Sequence, residues 1–470
     1  MKRHIEGDTM YEVDFSKPIH IHFIGIGGIS MSGLAEILLK ESFTISGSDA
    51  KESDLTRHLT SLGAQVFYGQ KAENILPGTD LVVYTAAIHP DNPEFAAAKA
   101  AGVPMLTRAE LLGQIMRNYD TPIAVSGTHG KTTTTSMLSH ILMAADCDPT
   151  ISVGGILPSI GGNIRVGHSE TFLTEACEYT NSFLSFFPKI GIILNMDADH
   201  LDFFKDIDDI RHSFRAFARL LPTDGMLIIN ADTPKYDYVT EGLGCKVVTY
   251  ALENQAVADY TAANITYDEF DHPSFDCICR GELRGRYTLM VPGLHNVSNA
   301  LAAIALADEL QLAENAEGFA TFRGTDRRFQ YKGTYHGAKV IDDYAHHPTE
   351  IRATMEAAEN CAHRTLWCVF QPHTYTRTKA LLDDFAAALS LADHVVLADI
   401  YAARETDTLG ISSKDIQERI VKLGTACEYF PSFAEIENYL NENLAEGDML
   451  ITMGAGDVVK IGEELLASEK

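Results

Sequence analysis

The stretch that decides the fold is PIAVSGTHGKTTTTSML, which runs from Pro122 to Leu138. It contains an apolar segment, the turn GTHG at residues 127–130, and Lys131 at the expected start of a helix. The usual phosphate-binding loop carries a glycine five residues before the glycine of its GK[ST] ending, but Val125 occupies that position here. Gly127 is the nearest earlier glycine, so the turn is two residues shorter. We therefore predict a strand, a shortened phosphate-binding turn and a helix.

This turn has the groups that phosphate binding needs. Glycines let backbone N–H groups converge on phosphate oxygens, and the N-terminus of a helix favours an anion. Lys131 can reach a terminal phosphate, and the hydroxyl of Thr132 can hold Mg²⁺. A glycine turn that merely starts a helix is the alternative, but GK[ST] at a junction between strand and helix favours phosphate binding.

A magnesium ion at this turn requires oxygen ligands from the ends of neighbouring strands. Glu175 ends the segment TFLTE, and Glu178 follows it. Asp197, Asp199 and His200 follow the segment IGIILN. Glu175 is the strongest single candidate, and His200 is a less usual second ligand.

The composition points to a multidomain protein that acts on small molecules. At about 150 residues per domain, 470 residues correspond to about three domains. The net charge of −28 disfavours nucleic-acid and anionic-membrane surfaces, which require a cationic face. No apolar run approaches the roughly 18 residues that cross a bilayer, and the N-terminal segment lacks the apolar core of a secretory signal. We expect a cytoplasmic protein, a monomer or homodimer, with no nucleic-acid or membrane partner and with eight reduced cysteines.

Apolar segments alternate with helical segments of about ten residues, which predicts parallel sheets with crossover helices. The alternation breaks near residues 116–120 and again near residues 324–329. We predict three α/β domains: a Rossmann-like domain at residues 1–118, a central P-loop ATPase-type domain at residues 119–324, and a Rossmann-like domain at residues 325–470. Within the central domain we expect glycine-rich loops from Gly154 to Gly167 and a small antiparallel sheet between Leu252 and Pro292.

A second nucleotide-like signal lies near the N-terminus. The turn GIGG at residues 25–28 follows an apolar segment, opens a helical segment and precedes Asp49 by about 20 residues, as in dinucleotide sites. Ser30 replaces the third glycine of that pattern. The pattern leaves open a dinucleotide, another diphosphate nucleotide such as a UDP-sugar, or a turn without catalytic meaning.

The third predicted domain is dense in polar groups that follow apolar runs. Arg327 and Arg328 could clamp a transferring phosphate, and Asp343 could accept a hydrogen bond from a ribose. Four further side chains could hold a carboxylate or exchange a proton, namely those of His346, His347, His373 and Arg377. Each residue alone would more often be structural, but four polar clusters in one domain favour a site, namely GTDRRFQ, DDYAHHPTE, QPHTYTRT and YAARE.

In combination these motifs resemble the Mur ligase family, the ATP-dependent amide-forming enzymes of bacterial peptidoglycan precursor synthesis. The resemblance covers roughly Pro18 to Val459 and rests on HFIGIGGISMSGLA, GTHGKTTTT, EACEYTNSF, NMDADHLD, HNVSNALAA, DRRFQ, DDYAHHPTE and QPHTYTRT. The shortened GT-x-GKT turn is the form that this family carries. The resemblance implies a UDP-substrate domain, a central ATP-binding domain and a C-terminal domain that closes over both.

The resemblance also implies an activity. It is closest to members that add L-alanine to the lactyl carboxylate of UDP-N-acetylmuramate, with ATP as co-substrate, Mg²⁺ as cofactor and an acyl phosphate as intermediate. The alternative within the family is a murein peptide ligase, which joins a recycled tripeptide to the same acceptor. Outside the family, the first domain alone would also permit an NAD-dependent oxidoreductase, and the ATP site alone would permit an ATP-binding regulator.

The resemblance assigns site residues to each substrate. Those expected to bind ATP are Gly127, Thr128, His129, Gly130, Lys131, Thr132, Thr133, Asn296, Arg327 and Asp343. Those expected to hold Mg²⁺ are Thr132, Glu175 and His200. Those expected to bind the UDP part are Gly25, Ile26, Gly27, Gly28, Ser48, Asp49 and Thr85. Those expected around the incoming amino acid are Tyr344, His346, His373 and Arg377. Those expected to act in catalysis are Lys131, Glu175, His200 and Arg327.

Three positions depart from the family pattern, namely Cys177, Ala345 and Thr374. The last two adjoin the expected amino-acid pocket, so the amino acid stays open among L-alanine, glycine, L-serine and a tripeptide. The helix after His200 has no lysine where later-acting members carry a carbamylated one, which favours the first amino-acid addition. His129 has no expected role beyond the geometry of the turn.

Overall fold

The computed structural model describes residues 11–85, 88–201, 203–268, 271–312, 315–403 and 405–469. These residues form three sheets that follow one another along the chain. Each sheet contains parallel strands joined by helices, which confirms the predicted α/β class. The exact domain boundaries remain predictions.

The first sheet is a five-stranded parallel sheet. Its strands are β1 His20–Ile24, β2 Thr44–Asp49, β3 Gln65–Tyr68, β4 Leu81–Tyr84 and β5 Met105–Thr107. Its helices are α1 Ile29–Lys40, α2 Asp54–Ser61, α3 Pro93–Ala100 and α4 Arg108–Met116. The strand order is β3-β2-β1-β4-β5, so the direction of winding reverses between β1 and β4. Doubly wound sheets bind ligands at the carboxyl ends of the strands beside such a reversal.

The second sheet has ten strands and belongs to the central domain. Its strands are β6 Thr121–Ser126, β7 Thr150–Leu157, β8 Gly162–Arg165, β9 Thr171–Ala176, β10 Ile190–Ile193, β11 Met226–Asn230, β12 Lys246–Ala251, β13 Tyr260–Tyr267, β14 Pro273–Cys279 and β15 Glu282–Thr288. Its helices are α5 Lys131–Ala144, α6 Ile207–Ala218, α7 Tyr236–Thr240, α8 Leu294–Glu309 and α9 Asn315–Thr321. The strand order is β15-β14-β13-β12-β11-β10-β6-β9-β7-β8.

Two features of this sheet refine the sequence analysis. The expected antiparallel strands are β13 to β15, and they continue the parallel part because β13 pairs parallel to β12. The expected glycine-rich loops between Gly154 and Gly167 are wrong in part, since β7 extends to Leu157 and β8 pairs with it antiparallel. Glycines in a strand permit close approach of another group, and periodicity alone does not reveal that use.

The third sheet has six strands, with β16 antiparallel at one edge. Its strands are β16 Gln330–Tyr335, β17 Ala338–Asp343, β18 Leu366–Phe370, β19 His394–Leu397, β20 Ala426–Tyr429 and β21 Met449–Met453, in the order β16-β17-β21-β18-β19-β20. Its helices are α10 Pro348–Asn360, α11 Tyr375–Ala380, α12 Leu382–Leu389, α13 Ser413–Leu423, α14 Phe433–Asn443 and α15 Val459–Ser468. Successive residues Val340 and Ile341 lie in separate hydrophobic clusters, so both faces of the sheet are covered.

The first and central domains share a hydrophobic core. One buried cluster contains Leu34 of α1 and Leu112 of α4 together with Phe172 of β9 and Phe214 of α6. Within the described residues, no helix is long and apolar enough to span a bilayer. The eight cysteines are free thiols, as expected.

Candidate active site

The turn predicted to bind phosphate lies between β6 and α5, at the expected junction of strand and helix. Val125 is a buried residue of β6 that pairs with Ile192 and Glu175, which explains why it is not the loop glycine. Gly127 has a φ of +146°, and a Cβ there would lie 2.9 Å from the Cβ of Leu194. Gly130 has a φ of +82° and caps α5 without a side chain. Both conformations favour glycine, and the turn leads into the N-terminus of α5, a position that favours an anion.

Lys131 lies folded against this turn. Its ammonium donates to the carbonyl oxygens of Gly127 and Thr128, the latter at 3.0 Å, and to Glu178 Oε2 at 2.9 Å. Burial disfavours the charge, but the carboxylate of Glu178 outweighs burial and raises the pKa of Lys131. Lys131 is therefore a fixed positive charge at the concave side of the turn.

The candidate magnesium ligands lie beside the same turn. Glu175 accepts hydrogen bonds from the hydroxyl of Thr132 at 3.1 Å and from the N–H of Gly154 at 2.6 Å. A Cβ on Gly154 would lie 2.8 Å from Glu175 Oε2, so this glycine of β7 permits the contact. Burial raises the pKa of Glu175. Sequence reasoning missed Gly154 because a strand glycine beside an acid has no distinctive local pattern.

His200 reaches the site through Glu178. Its Nε2 lies 3.8 Å from Glu178 Oε1, a buried oxygen without a hydrogen-bond partner among the described residues. The ring packs against Tyr179 at a centroid distance of 4.5 Å. Burial lowers the pKa of His200, which favours the neutral ring that can donate a lone pair. Across the described chain, no three His, Cys, Asp or Glu side chains gather into a metal cluster.

A cavity of about 270 Å³ lies between the central and C-terminal domains. Its lining includes several of the predicted ATP-binding residues, namely His129, Gly130, Thr133, Asn296 and Asp343. Asn296 is buried, and its amide donates to the carbonyl of Pro292 at 2.7 Å. Asp343 accepts from the N–H groups of Phe329 and Ala345, each at 2.7 Å, and burial raises its pKa to about 6.

Arg327 and Arg328 have different environments. Arg327 donates to Asp342 at 3.0 Å and to the carbonyl of Gly454 at 2.7 Å, so it anchors the start of the C-terminal domain. Arg328 lines the cavity and lies 3.9 Å from Glu350. Arg328 is thus the arginine of this pair that faces the cavity.

The four residues predicted around the amino acid lie together in the C-terminal domain. The rings of Tyr344 and His346 are 5.4 Å apart, and those of His346 and His373 are 5.7 Å apart. Arg377 donates to Nδ1 of His373 at 3.3 Å. Its Nε and Nη2 also donate to Asp199 of the central domain, at 3.2 and 2.9 Å. Burial lowers the pKa of His346 to about 4, so this ring is neutral at neutral pH.

The residues predicted to hold the UDP part lie at the reversal in the first sheet. The N–H groups of Gly25 and Ile26 donate to the carbonyl of Ser48 at 2.8 and 2.9 Å. The carboxylate of Asp49 accepts from the N–H of Gly27 at 2.8 Å. Thr85 follows β4, which pairs with β1, so it lies at the same edge. Gly28, which is also predicted to bind the UDP part, is the N-cap residue of α1.

A buried network supports this edge and was missed from the sequence. Glu94 of α3 is fully buried and accepts from the hydroxyl of Ser48 at 2.6 Å and from the amide of Asn74. Nε2 of the buried His22 lies 3.7 Å from it. Burial disfavours the anion, but the contacts with His22, Ser48 and Asn74 outweigh burial and lower the pKa of Glu94. In the sequence, Glu94 looks like an ordinary acid in the first turn of a helix.

Three family descriptions together match most of the chain. Residues 20–120 match "Mur ligase family, catalytic domain", residues 125–307 match "Mur ligase middle domain", and residues 327–456 match "Mur ligase, glutamate ligase domain".

Curated relatives and solved structures match along nearly the whole length. The chain is 64% identical to UDP-N-acetylmuramate–L-alanine ligase of Agathobacter rectalis, covering 97% of this chain and 100% of the relative. It is 60% identical to the ligase of the same name from Lachnospira eligens, with the same coverage. The crystal structure of the UDP-N-acetylmuramate–alanine ligase from Thermotoga maritima superposes with a TM-score of 0.80 at 30% identity, covering 96% of this chain and 99% of that one. A murein peptide ligase from Psychrobacter arcticus gives 0.71 at 25% identity, covering 96% and 98%.

Proposed function

This chain belongs to the Mur ligase family, and we propose that it joins L-alanine to the lactyl carboxylate of UDP-N-acetylmuramate, with ATP as co-substrate. The observation that carries this proposal is the 64% identity over 97% of the chain to a ligase named for that reaction. The likeness to a murein peptide ligase, at 25% identity, makes tripeptide ligation the second candidate. Because ATP and a nucleotide-linked sugar are the substrates, we place the reaction in the cytoplasm.

The chemistry requires activation of a carboxylate. An oxygen of the lactyl carboxylate attacks the γ-phosphorus of ATP, the bond from that phosphorus to the bridging oxygen breaks, and ADP leaves an acyl phosphate behind. The neutral amine of L-alanine then attacks the acyl carbon. Phosphate leaves from the tetrahedral intermediate, and the nitrogen loses a proton to give the amide.

Phosphate positioning is assigned to the turn and to Lys131. The turn N–H groups and the buried ammonium would neutralise charge on the phosphates, and such fixed charges are worth most in a site without water. Thr132, Glu175 and His200 would hold Mg²⁺, which supplies further charge neutralisation on the phosphates when bound. The donors fit this ion: Thr132 and Glu175 are in contact, Glu178 Oε1 has no hydrogen-bond partner in the described part of the chain, and Mg²⁺ needs few protein ligands besides phosphate and water.

The amino-acid pocket is assigned to the cluster around Arg377. Asp199 engages the Nε and Nη2 side of this guanidinium, which leaves the Nη1 side near His373 for the carboxylate of L-alanine. The neutral His346 ring at the same place would avoid repulsion of the amino group. Contact between the central and C-terminal domains would keep water from the acyl phosphate.

The test is an assay of phosphate release with UDP-N-acetylmuramate, ATP and Mg²⁺, in which L-alanine, glycine, L-serine and the tripeptide are compared as acceptors. We expect the highest kcat/KM with L-alanine. Release driven only by the tripeptide would establish the second candidate instead. No release with any of the four acceptors would refute both.

A further inference from the structure

His129 stands in the middle of the phosphate-binding turn, and its backbone is fixed by one side chain. The amide of Asn195 accepts from the N–H of His129 at 2.8 Å and donates to its carbonyl at 3.0 Å. The peptide groups on both sides of the ring are therefore held, which limits where the ring can point. Any movement of the turn on phosphate binding would move this ring with it.

The ring of His129 lies between two carboxylates from different domains. Its Nε2 is 3.2 Å from Asp197 in the central domain, and its Nδ1 is 3.2 Å from Glu350 in the first turn of α10. Nδ1 is hydrogen-bonded to Glu350, whereas Nε2, which has no hydrogen-bond partner among the described residues, lies at ion-pair distance from Asp197, so the charged imidazolium form suits both acids. Burial disfavours the charge, but the two carboxylates outweigh burial and raise the pKa of His129 to about 9.

The neighbouring His347 is compatible with this charge because it is neutral. Its Nδ1 accepts from the N–H of Thr349 at 3.3 Å, so its proton is on Nε2, which lies 3.3 Å from the carbonyl of Ala198. Burial lowers the pKa of His347. The rings of His129 and His347 pack at a centroid distance of 4.9 Å. At this contact between the domains, the charged ring of His129 therefore lies between two carboxylates, and the neutral ring of His347 packs against its face.

Glu350 continues the connection into the amino-acid pocket. While one of its oxygens accepts from His129, the other accepts from the N–H of His346 at 3.1 Å and lies 3.3 Å from His346 Nδ1. Glu350 is largely buried, which disfavours its anion, but its contacts with His346, His129 and Arg328 outweigh burial and hold its pKa well below the ordinary value. A single carboxylate therefore bridges the phosphate-binding turn and a residue assigned to the incoming amino acid.

We propose that His129 and Glu350 are positioning residues that couple the phosphate-binding turn to the amino-acid pocket through the backbone of His346. Nucleotide phosphates in the turn fix His129, His129 orients Glu350, and Glu350 holds His346 where the amino acid binds. ATP therefore strengthens the binding of the amino acid, and the amino acid strengthens the binding of ATP by the same factor. This inference rests on the proposed ligase function.

The test is steady-state kinetics on His129→Gln, Glu350→Gln and the double variant, with His168→Gln as control. His168 also pairs with an acid, Asp148 at 2.9 Å, but its side chain is 92% exposed. We expect each test substitution to raise the KM for L-alanine about 10-fold and to abolish its dependence on ATP concentration, whereas the KM for UDP-N-acetylmuramate stays unchanged. The double variant should be no more impaired than the more impaired single variant, because both substitutions break the same connection. The control should match the wild type.

Three outcomes would overturn the coupling. They are additive losses in the double variant, equal increases in KM for all three substrates, and a loss confined to kcat. Thermal denaturation of each variant accompanies the kinetics, and loss of the folded state in both single variants would assign these residues a structural role and refute the proposal. An inactive wild-type enzyme would refute the proposed function itself, so the two failures are distinguishable.

Discussion

Arg377 and Asp199 form a largely buried ion pair, with 2.9 Å between Nη2 and Oδ1, across the contact between the C-terminal and central domains. Although burial disfavours the anion, the charge of Arg377 holds the pKa of Asp199 below its ordinary value. The loop that carries Asp199 also carries Asp197 and the carbonyl of Ala198, which contact His129 and His347. Ala198 and Asp199 of one short loop in the central domain therefore contact the C-terminal domain directly, whereas Asp197 contacts His129, which in turn pairs with Glu350.

Asp199→Asn should weaken this contact and disturb the amino-acid pocket. Removing one charge leaves the guanidinium of Arg377 buried and unpaired, which costs about 3–5 kcal/mol in comparable pairs. We expect a lower Tm and a kcat/KM for L-alanine reduced about 10-fold or more, measured by calorimetry and phosphate release. Asp383→Asn is the matched control, because Asp383 pairs with Arg419 on the surface and is 89% exposed. Equal losses in the two variants would contradict the assignment.

Lys131→Ala should abolish turnover and leave the binding of UDP-N-acetylmuramate unchanged, because the first domain is assigned to that substrate. We expect kcat to fall about 10³-fold through the loss of phosphate charge neutralisation. The variant should also lose stability, because Glu178 is 2% exposed and loses its partner. Lys131→Ala combined with Glu178→Gln should recover the Tm but not the activity. Loss of UDP-substrate binding, measured by titration calorimetry, would show that the two nucleotide sites are misassigned.

The pKa of His129 predicts a pH-dependent contribution to stability. The folded pKa of about 9 lies above the ordinary value of 6.5, so the contribution is complete below pH 6.5 and is lost as the pH rises through 9. The shift corresponds to ~3 kcal/mol at most. The Tm of His129→Gln should therefore fall furthest below that of the wild type at pH 6 and approach it above pH 9. A difference that does not change with pH would show that His129 is uncharged in the folded protein.

Gly33→Ala should disturb the contact between the first and central domains. A Cβ at Gly33 in α1 would lie 2.2 Å from Cγ1 of Ile164 in β8, and overpacking of this kind costs about 1–3 kcal/mol. We expect a lower Tm with little change in the KM for ATP. Gly33→Ala combined with Ile164→Ala should recover part of the loss, since the smaller side chain makes room. If the double variant is less stable than the sum of the singles predicts, this steric explanation is wrong.

The parts of the structure that could be predicted from sequence are local. The strand, turn and helix around Lys131 depend on neighbouring residues only, and the alternation of apolar and helical segments fixes the α/β class. The structure also gathers the four residues predicted around the amino acid, because each follows or adjoins a strand end of one parallel sheet. The chemical roles of these residues remain predictions.

The parts that could not be predicted depend on contacts between distant residues. Asp199 and Arg377 are 178 positions apart, and His129 and Glu350 are 221 positions apart. Nothing in the motif GTHG indicates that its histidine meets an acid of another domain. Gly33 is a second example. Ser30 occupies the position of the third glycine in the pattern of the first turn. The glycine that packing requires is Gly33, one turn later on α1.

Glu94→Gln should selectively weaken the binding of UDP-N-acetylmuramate. The buried carboxylate holds Ser48, whose carbonyl in turn fixes the N–H groups of Gly25 and Ile26. An amide of the same shape replaces one acceptor oxygen by a donor, so the hydroxyl of Ser48 or the amide of Asn74 loses its acceptor at this position. We expect the KM for UDP-N-acetylmuramate to rise about 10-fold, as loss of a hydrogen bond to a charged group predicts, while the KM values for ATP and L-alanine stay unchanged. Glu73→Gln, at an exposed acid nearby, is the control and should match the wild type. A rise in all three KM values would instead indicate general destabilisation of the first domain.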